Sequence, residues 1–264
     1  MRQSINLSTL PKSNHLVAQL FLVLVLRNTK MSLPGKLERL MVRTSLPALP
    51  YPPSHTRTPV STDRLVLRPA TLEDVAALHQ LRTQQEVMIW TMTGKIDVDL
   101  EATKANLGRF MAPNDDSTYN FAVCLKETGE FIGIGGSHGR EGELGWPELG
   151  YMFKKETWGK GYATEFVKAF TDLWWQLPRA TYDIQVVKET AHLVDGETVE
   201  ILSAVTVEEN GASKKVLERS RYERLITWKE VDTHYEDGRL VTLVGFGHRR
   251  PDPSSQGIHS PESR

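Results

Sequence analysis

The pattern of apolar and polar positions is clearest in the middle of the chain, from Glu148 to Phe170. Leu149–Phe153 is a short apolar run with one internal glycine, which predicts a buried strand with a bulge or a close backbone approach. From Ala163 onward, apolar residues recur at the spacing of one helix face, at positions 163, 166, 167, 170, 173, 174 and 177. Between these segments, Trp158–Ala163 carries two glycines and predicts a tight loop. The predicted order is therefore strand, glycine loop, helix.

The chain ahead of this region alternates between predicted strands and helices. Arg64–Arg68 alternates apolar and polar residues and predicts a strand. Thr71 followed by Asp74 is typical of a helix start, and Asp99 predicts the cap of a second helix. A hairpin with a glycine-containing turn is predicted for Asn120–Leu125 and Phe131–Gly135.

The chain after the long helix has a less regular pattern. Ile201–Val207 is β-branched and apolar and predicts a strand, and Asn210 predicts the N-cap of a further helix. The other predicted elements are a short strand, a turn and a hairpin, at Tyr182–Val187, Asp195–Gly196, and Leu225–Val231 with Arg239–Gly247. Together the elements predict an α/β (α+β) fold with a mixed central sheet, helices on both faces and a parallel strand pair around the long helix.

The start of the folded domain is predicted near Ser61. Residues 46–60 are rich in proline and predict an extended linker, so residues 1–60 are assigned to a leader and linker. The domain is predicted to span residues 61–248. The Pro/Ser-rich tail at 249–264 is predicted to be disordered.

The leader contains no acidic residue from Met1 to Lys30. Its apolar run, Leu16–Leu26, is shorter than the about 20 residues of a membrane span, so no stable span is expected. The leader admits three interpretations: a signal-peptide core, an organelle transit peptide, or a misassigned start with Met31 as the first residue. We expect a cytoplasmic protein, with mitochondrial or secretory targeting left open by the leader.

The length, net charge and cysteine count of the chain limit the functions that it could have. The chain of 264 residues, 39% of them hydrophobic, is long enough to bury a sizeable core as one or two domains. A net charge of −1 gives no general argument for nucleic-acid binding, so no nucleic-acid partner is expected. The single cysteine, Cys124, excludes an internal disulfide and a cysteine zinc cluster, and its apolar strand favours a buried thiol over a nucleophile. No histidine or carboxylate spacing indicates a metal site.

A glycine loop that opens a helix is suited to an anion. The helix N-terminus leaves N–H groups unpaired and carries partial positive charge, and glycines let several N–H groups converge. A phosphate or pyrophosphate is the natural guest, and Lys160, with Lys154 and Lys155 nearby, adds positive charge. The loop lacks the Gly-Lys-Ser/Thr ending of a Walker P-loop and the third glycine of a dinucleotide fingerprint.

These residues resemble a known family. Trp158-Gly159-Lys160-Gly161-Tyr162-Ala163 resembles the pyrophosphate loop of the GNAT superfamily of acetyl-CoA-dependent N-acetyltransferases, whose pattern is Gln/Arg-x-x-Gly-x-Gly/Ala. Trp158 departs from the first position, and with the Gly-Tyr-Ala-Thr-Glu ending it is similar to the ribosomal-protein-alanine N-acetyltransferase branch. Asn210-x-x-Ser213 followed by Val-Leu-Glu resembles the second cofactor motif of the family. The family closes that motif with lysine, glycine and an aromatic, whereas Arg219–Tyr222 keeps the aromatic and lacks the glycine.

The resemblance implies that a substrate amine attacks the thioester of acetyl-CoA, the co-substrate, directly and without an acyl-enzyme. The resemblance also implies main-chain contacts with two parts of the cofactor. The pantetheine is expected to contact Tyr151, Met152 and Phe153. The pyrophosphate is expected to contact Trp158, Gly159, Lys160, Gly161, Tyr162 and Ala163. Asn210 is interpreted as a helix cap, a pantetheine contact, or both. Ser213 is predicted to protonate the departing thiolate, with Tyr222 as the alternative donor.

The general base is predicted to be Glu148, which immediately precedes the cofactor strand, with His138 as the second candidate. The alternative is that Glu148 is an ordinary solvated carboxylate. The expected acceptor is a primary amine, on a protein N-terminus, a polyamine, or an antibiotic or metabolite, and the oligomeric state is left open. Two other functions are weighed, a non-catalytic CoA-binding or interaction module and a nucleotide-phosphate binder.

Overall fold

The structure, a computed structural model, describes residues 37–194 and 197–251. The predictions for the leader at Met1–Lys30, for the turn at Asp195–Gly196 and for most of the tail lie outside the described residues. Within the described part of the chain, no helix has the length and apolar character needed to cross a membrane.

Twelve strands and five α-helices make up the described chain. The strands are β1 (Arg39–Pro47), β2 (Val60–Ser61), β3 (Leu65–Arg68), β4 (Tyr119–Leu125), β5 (Phe131–Ser137), β6 (Leu149–Phe153), β7 (Arg179–Val187), β8 (Leu193–Val194), β9 (Glu197–Thr198), β10 (Ile201–Val207), β11 (Glu223–Val231) and β12 (Leu240–Arg249). The helices are α1 (Val75–Arg82), α2 (Gln85–Met88), α3 (Leu100–Gly108), α4 (Tyr162–Gln176) and α5 (Gly211–Arg219). The predicted capping residues are confirmed, since Thr71 and Asp74 form a capping box and Asp99 caps α3.

Two sheets meet at a single point. Strands β2 to β6 form an antiparallel five-stranded sheet in chain order, and β10, β12 and β11 form a second antiparallel sheet. The sheets are joined by one parallel bridge between Glu148 and Ser203, where the Ser203 N–H donates to the Pro147 carbonyl at 2.8 Å. Within the described chain, β6 and β10 do not pair beyond this bridge, so the predicted parallel pair opens into a splay toward Phe153.

Helices cover both faces of the five-stranded sheet, as predicted. On one face, Phe166, Phe170 and Trp174 of α4 are fully buried against apolar residues that include Leu149 and Phe153 of β6. On the other face, α1 and α3 pack over a second cluster that contains Ile134 and the buried Cys124. Burial raises the pKa of the Cys124 thiol, which supports its interpretation as a structural residue.

A third sheet corrects the predicted domain boundary. Strand β1 pairs antiparallel with β7 along its whole length, from Arg39 opposite Val187 to Pro47 opposite Arg179. Leu46 is fully buried, and Tyr51 of the expected linker lies in the main core. The predicted start near Ser61 is therefore wrong for the described residues 37–60, which belong to the folded unit. Proline content suggested a linker because composition does not show which distant strand a segment pairs with.

Candidate active site

Left-handed glycines shape the loop ahead of α4. Gly159 and Gly161 have φ angles of 74° and 83°, which residues with a Cβ rarely adopt. Gly161 is the N-cap of α4, and among the described residues no side chain caps this helix. By contrast, the side chain of Asp99 caps α3 at 2.7 Å and that of Asn210 caps α5 at 3.0 Å. The first-turn N–H groups of α4 therefore fit an anionic guest such as a pyrophosphate.

The side chains around the loop differ from the prediction. Lys155 pairs with Glu86 at 2.5 Å, and the Lys154 ammonium lies 3.7 Å from Glu130, so these two lysines are engaged away from the loop. Lys160 is exposed. The second cation at the loop is Arg64, whose guanidinium donates to the Lys160 carbonyl at 2.9 Å, and the sequence analysis did not single it out.

The direction of the β6 main chain decides which residues face the splay. The Lys154 N–H donates to the Ile132 carbonyl of β5 at 2.8 Å. Because main-chain groups alternate in direction along a strand, Met152 also faces β5, opposite Ile134, while Tyr151 and Phe153 face the splay. The Met152 main chain therefore points toward β5, away from the side of β6 on which the pantetheine contacts are predicted. The Phe153 carbonyl accepts from the Trp158 indole at 2.9 Å, so the Trp158 side chain contacts this edge of β6.

A tyrosine and a serine meet across the splay. The Tyr151 hydroxyl of β6 lies 2.9 Å from the Ser213 hydroxyl in the first turn of α5, and burial raises the pKa of Tyr151 to about 12. The Asn210 side chain accepts from the Ser213 N–H, which confirms the predicted cap. Tyr222, the alternative proton donor, is buried and hydrogen-bonds Thr171 at 3.0 Å in the core. The structure thus brings the Ser213 hydroxyl to Tyr151 and pairs the Tyr222 hydroxyl with Thr171.

Glu148 lies where the two sheets meet. Because side chains alternate along a strand, the Glu148 side chain lies on one face of β6, and those of Leu149 and Tyr151 lie on the other face. Burial raises the pKa of its carboxyl group to about 7, and the negative charge of Glu143 acts in the same direction. A hydrogen bond from the Glu143 N–H, 2.9 Å from Oε2, opposes this rise. A carboxyl group that titrates near neutrality meets the requirement for a general base.

His138 shares the Glu148 side of β6. Its imidazole lies against Gly150, where a Cβ would collide with it, and its ring centroid is 5.1 Å from that of Phe110. Desolvation and the neighbouring charge of Arg109 lower its pKa, although the residue keeps an exposed surface. His138 is therefore neutral at pH 7. Within the described chain, no group of histidine, cysteine or carboxylate side chains could hold a metal ion.

The third sheet anchors the loop that contacts Glu148. The Glu143 carbonyl accepts from the Arg39 guanidinium of β1 at 2.7 Å, and the Leu144 carbonyl accepts from the Val187 N–H at 2.9 Å. The indole of the fully buried Trp146 donates to Thr190 at 2.8 Å. The position of the Glu143 N–H, and with it the environment of Glu148, depends on a strand in the segment that the sequence assigned to a leader and linker.

The missing glycine of the second motif is compensated locally. Arg221, which precedes Tyr222, has a φ angle of 65°, the one positive value of a non-glycine residue within the described chain. The backbone at the end of α5 thus takes the left-handed form that glycine favours. Arg221 therefore replaces the glycine of the family motif, and the backbone turn is the same as the one that glycine would form.

Comparisons with known proteins identify the family of the chain. Residues 64–223 match the family described as the acetyltransferase (GNAT) domain. The uncharacterized N-acetyltransferase p20 of Bacillus licheniformis is 32% identical over 112 residues, which are 42% of this chain and 62% of that protein. The chain therefore spans less than two thirds of the length of this relative.

Solved structures share the fold at low sequence identity. Ribosomal-protein-S5-alanine acetyltransferase from Vibrio fischeri has a TM-score of 0.54 at 14% identity, over 74% of this chain and 98% of its own. RimJ of Mycobacterium smegmatis, in complex with CoA-disulfide, has a TM-score of 0.53 at 18% identity, over 74% and 84%. These identities show the fold alone. Because the family match covers more than half of the chain, the chain belongs to the GNAT acetyltransferase family.

Proposed function

We propose that the protein transfers an acetyl group from acetyl-CoA to a primary amine by direct attack of the amine. One observation carries the proposal: the uncapped glycine loop, the Tyr151–Ser213 hydroxyl pair and Glu148 all lie along the splay between β6 and β10. The loop suits the pyrophosphate, and the splay leaves the Tyr151 and Phe153 main chain facing the place of the pantetheine. The CoA complex of the similarly folded RimJ supports this choice of co-substrate.

We assign the two proton transfers of the reaction to residues on opposite faces of β6. Acetyl-CoA, when bound, supplies a thioester whose carbonyl carbon an amine can attack. Glu148 accepts the proton that the amine loses, because its carboxylate form is populated above a pKa of about 7. Ser213 holds its hydroxyl on the opposite face and donates a proton toward the departing sulfur. Tyr151, within 2.9 Å of Ser213, orients that hydroxyl.

The acceptor approaches from the Glu148 face. Elsewhere in the fold, the segment after α2 contacts the β11–β12 hairpin, since the Thr233 hydroxyl donates to the Met92 carbonyl at 2.8 Å and the His234 ring lies 2.7 Å from the Thr91 carbonyl. This contact joins the helices on the five-stranded sheet to the sheet that contains β10. A protein N-terminus and a small amine are both acceptors of the required chemistry, and the similarly folded S5-alanine acetyltransferase favours the first.

The test begins with binding. In a thermal-shift titration of the full chain with acetyl-CoA, CoA, ATP and NAD, only the two CoA compounds are expected to raise Tm. Saturation at a hundred times Kd corresponds to roughly 2.7 kcal/mol of added stability. A preference for ATP or NAD would identify a nucleotide-phosphate binder and overturn the proposal.

Turnover separates an enzyme from a binding module. With acetyl-CoA at saturation, a panel of peptides with free N-termini, polyamines and aminoglycosides is assayed by release of free CoA thiol. Thiol release that depends on one amine class supports the proposal and identifies the acceptor. CoA binding without transfer to any class would favour the non-catalytic module.

A further inference from the structure

Arg64 makes several contacts behind the glycine loop. It lies in the turn between β2 and β3, and its guanidinium donates to the Lys160 carbonyl at 2.9 Å. The guanidinium also lies over the Tyr162 ring, 4.7 Å from the centroid, and a Cβ on Gly161 would lie 3.3 Å from Nη2. Arg64 therefore lies beside Lys160, Gly161 and Tyr162, three consecutive residues at the start of α4.

Glu165, in the first turn of α4, is the ionic partner of Arg64. Its carboxylate accepts from the Thr62 hydroxyl at 2.5 Å and from the Arg64 N–H at 2.8 Å, and lies 2.7 Å from both Nε and Nη2 of Arg64. Burial acts to raise the pKa of Glu165, and the hydrogen bonds from Thr62 and Arg64 outweigh it and hold the pKa below its usual value. The carboxylate is thus charged at neutral pH.

A charged Glu165 has opposite effects on the helix and on an anion at the loop. A carboxylate in the first turn stabilises a helix through its dipole, but it repels a pyrophosphate at the same helix end. Arg64 removes this conflict, because it neutralises the carboxylate and holds the Lys160 carbonyl by a hydrogen bond. The Glu165 side chain is 16% exposed and that of Arg64 49%, so loss of Arg64 would leave a largely buried, uncompensated negative charge beside the loop.

We propose that Arg64 is a positioning residue for CoA, one that fixes the shape of the glycine loop and cancels the charge of Glu165 beside the pyrophosphate. This inference rests on the proposed function, since it requires CoA as the ligand. It assigns a cofactor-related task to the turn between β2 and β3, about a hundred residues before the loop it supports.

The experiment is a double-mutant cycle on CoA affinity, measured by calorimetry with the full chain. Arg64→Met is expected to weaken CoA binding about tenfold, since a carboxylate at a helix N-terminus is then unpaired. Adding Glu165→Gln is expected to recover part of that loss, because the repelling charge is gone. In steady-state assays of Arg64→Met, KM for acetyl-CoA rises while kcat stays within about twofold.

The matched control is Arg239→Met. Arg239 likewise pairs with a carboxylate, Asp237, and lies over a tyrosine ring, 3.8 Å from the Tyr235 centroid, with a similar exposure of 52%. Its substitution is expected to leave CoA affinity unchanged. If Arg64→Met does not fold, Arg64→Lys keeps a positive charge without the forked donors, and we expect it to bind CoA more weakly than the unaltered protein.

The outcomes separate the two proposals. If the unaltered protein does not bind CoA, the proposed function fails and this inference fails with it. If the unaltered protein binds CoA and Arg64→Met binds it equally well, the inference alone is overturned. A double variant as weak as Arg64→Met would also overturn it, because a purely structural role predicts no recovery.

Discussion

The main-chain N–H of Glu143 donates to the carboxylate of Glu148 at 2.9 Å, while the side-chain charge of Glu143 acts on the same carboxylate in the opposite sense. The hydrogen bond favours the ionised form of Glu148, and the charge disfavours it. Burial adds to the second effect and is the largest of the three, so the pKa rises to about 7. One loop residue thus helps to set the protonation of the proposed base.

Replacing Glu148 by Gln removes the proposed base. We expect kcat to fall roughly 10²- to 10⁴-fold, the range that general-base catalysis supplies. In the unaltered protein, kcat/KM is expected to rise with pH up to an apparent pKa near 7, because Glu148 must be deprotonated. Rates of amine acetylation across pH 5–9 measure both effects. A Gln variant with full activity and the same acid limb would exclude Glu148 as the base.

Glu143→Gln tests the charge effect. The variant keeps the main-chain N–H and loses the carboxylate that raises the pKa of Glu148. The acid limb of the pH profile is therefore expected to move to lower pH, with little change in the plateau rate. Glu141→Gln, an exposed residue of the same loop, serves as the control and should leave the limb in place. A limb that moves upward would contradict the argument.

Ser213→Ala removes the proposed proton donor. We expect kcat to fall about ten- to a hundredfold, with CoA affinity changed much less, because the Ser213 main chain still donates to Asn210. Tyr151→Phe should give a smaller loss, since Tyr151 acts through the Ser213 hydroxyl. Comparison of kcat with the calorimetric Kd separates the two effects. Equal losses in kcat and affinity would indicate a binding role instead.

Arg221→Gly is expected to stabilise the protein. Arg221 has a φ angle of 65°, and replacing it with glycine relieves about 0.5–1 kcal/mol of backbone strain. The mirror substitution, Gly161→Ala at a φ of 83°, is expected to destabilise the protein by a similar amount or more. Urea unfolding at constant pH measures both. A loss of stability in Arg221→Gly would show that its side-chain contacts outweigh the strain.

A chain that begins at Ser61 is expected to fold poorly compared with one that begins at Leu37. The shorter chain loses the buried Val42, Leu46 and Tyr51, each worth roughly 1.5–3 kcal/mol, from a total stability of about 5–15 kcal/mol. Circular dichroism melts of the two chains provide the comparison. A cooperative transition at an unchanged Tm for the Ser61 chain would show that β1 is dispensable.

Local features of the fold could be predicted from the sequence, and long-range ones could not. The bounds of β6 and β10 and the caps at Thr71, Asp99 and Asn210 follow from residues close together in the chain. The pairing of β1 with β7 depends on a partner that composition does not identify. For that reason the proline-rich segment suggested a linker.

The same distinction applies to the site. The glycine loop, Glu148 and Ser213 were found because each lies in or beside a recognisable motif. Arg64, which contacts a loop about a hundred residues away, and the hydroxyl contact of Tyr151 with Ser213 depend on tertiary approach. The direction of the Met152 main chain toward β5 likewise depends on which neighbour β6 pairs with, which the sequence does not show.

The pairing of β1 with β7 also affects how the protein forms during synthesis. Arg39 and Gln185, which are in contact in the folded protein, are 146 residues apart in the chain. At about 5–20 residues per second, β1 is translated roughly 7–30 s before its partner strand. During that interval its main-chain groups have no partner from β7, and closing so long a loop is entropically costly. We therefore expect the third sheet, and with it the anchoring of the Glu148 loop, to form only after β7 has been synthesised.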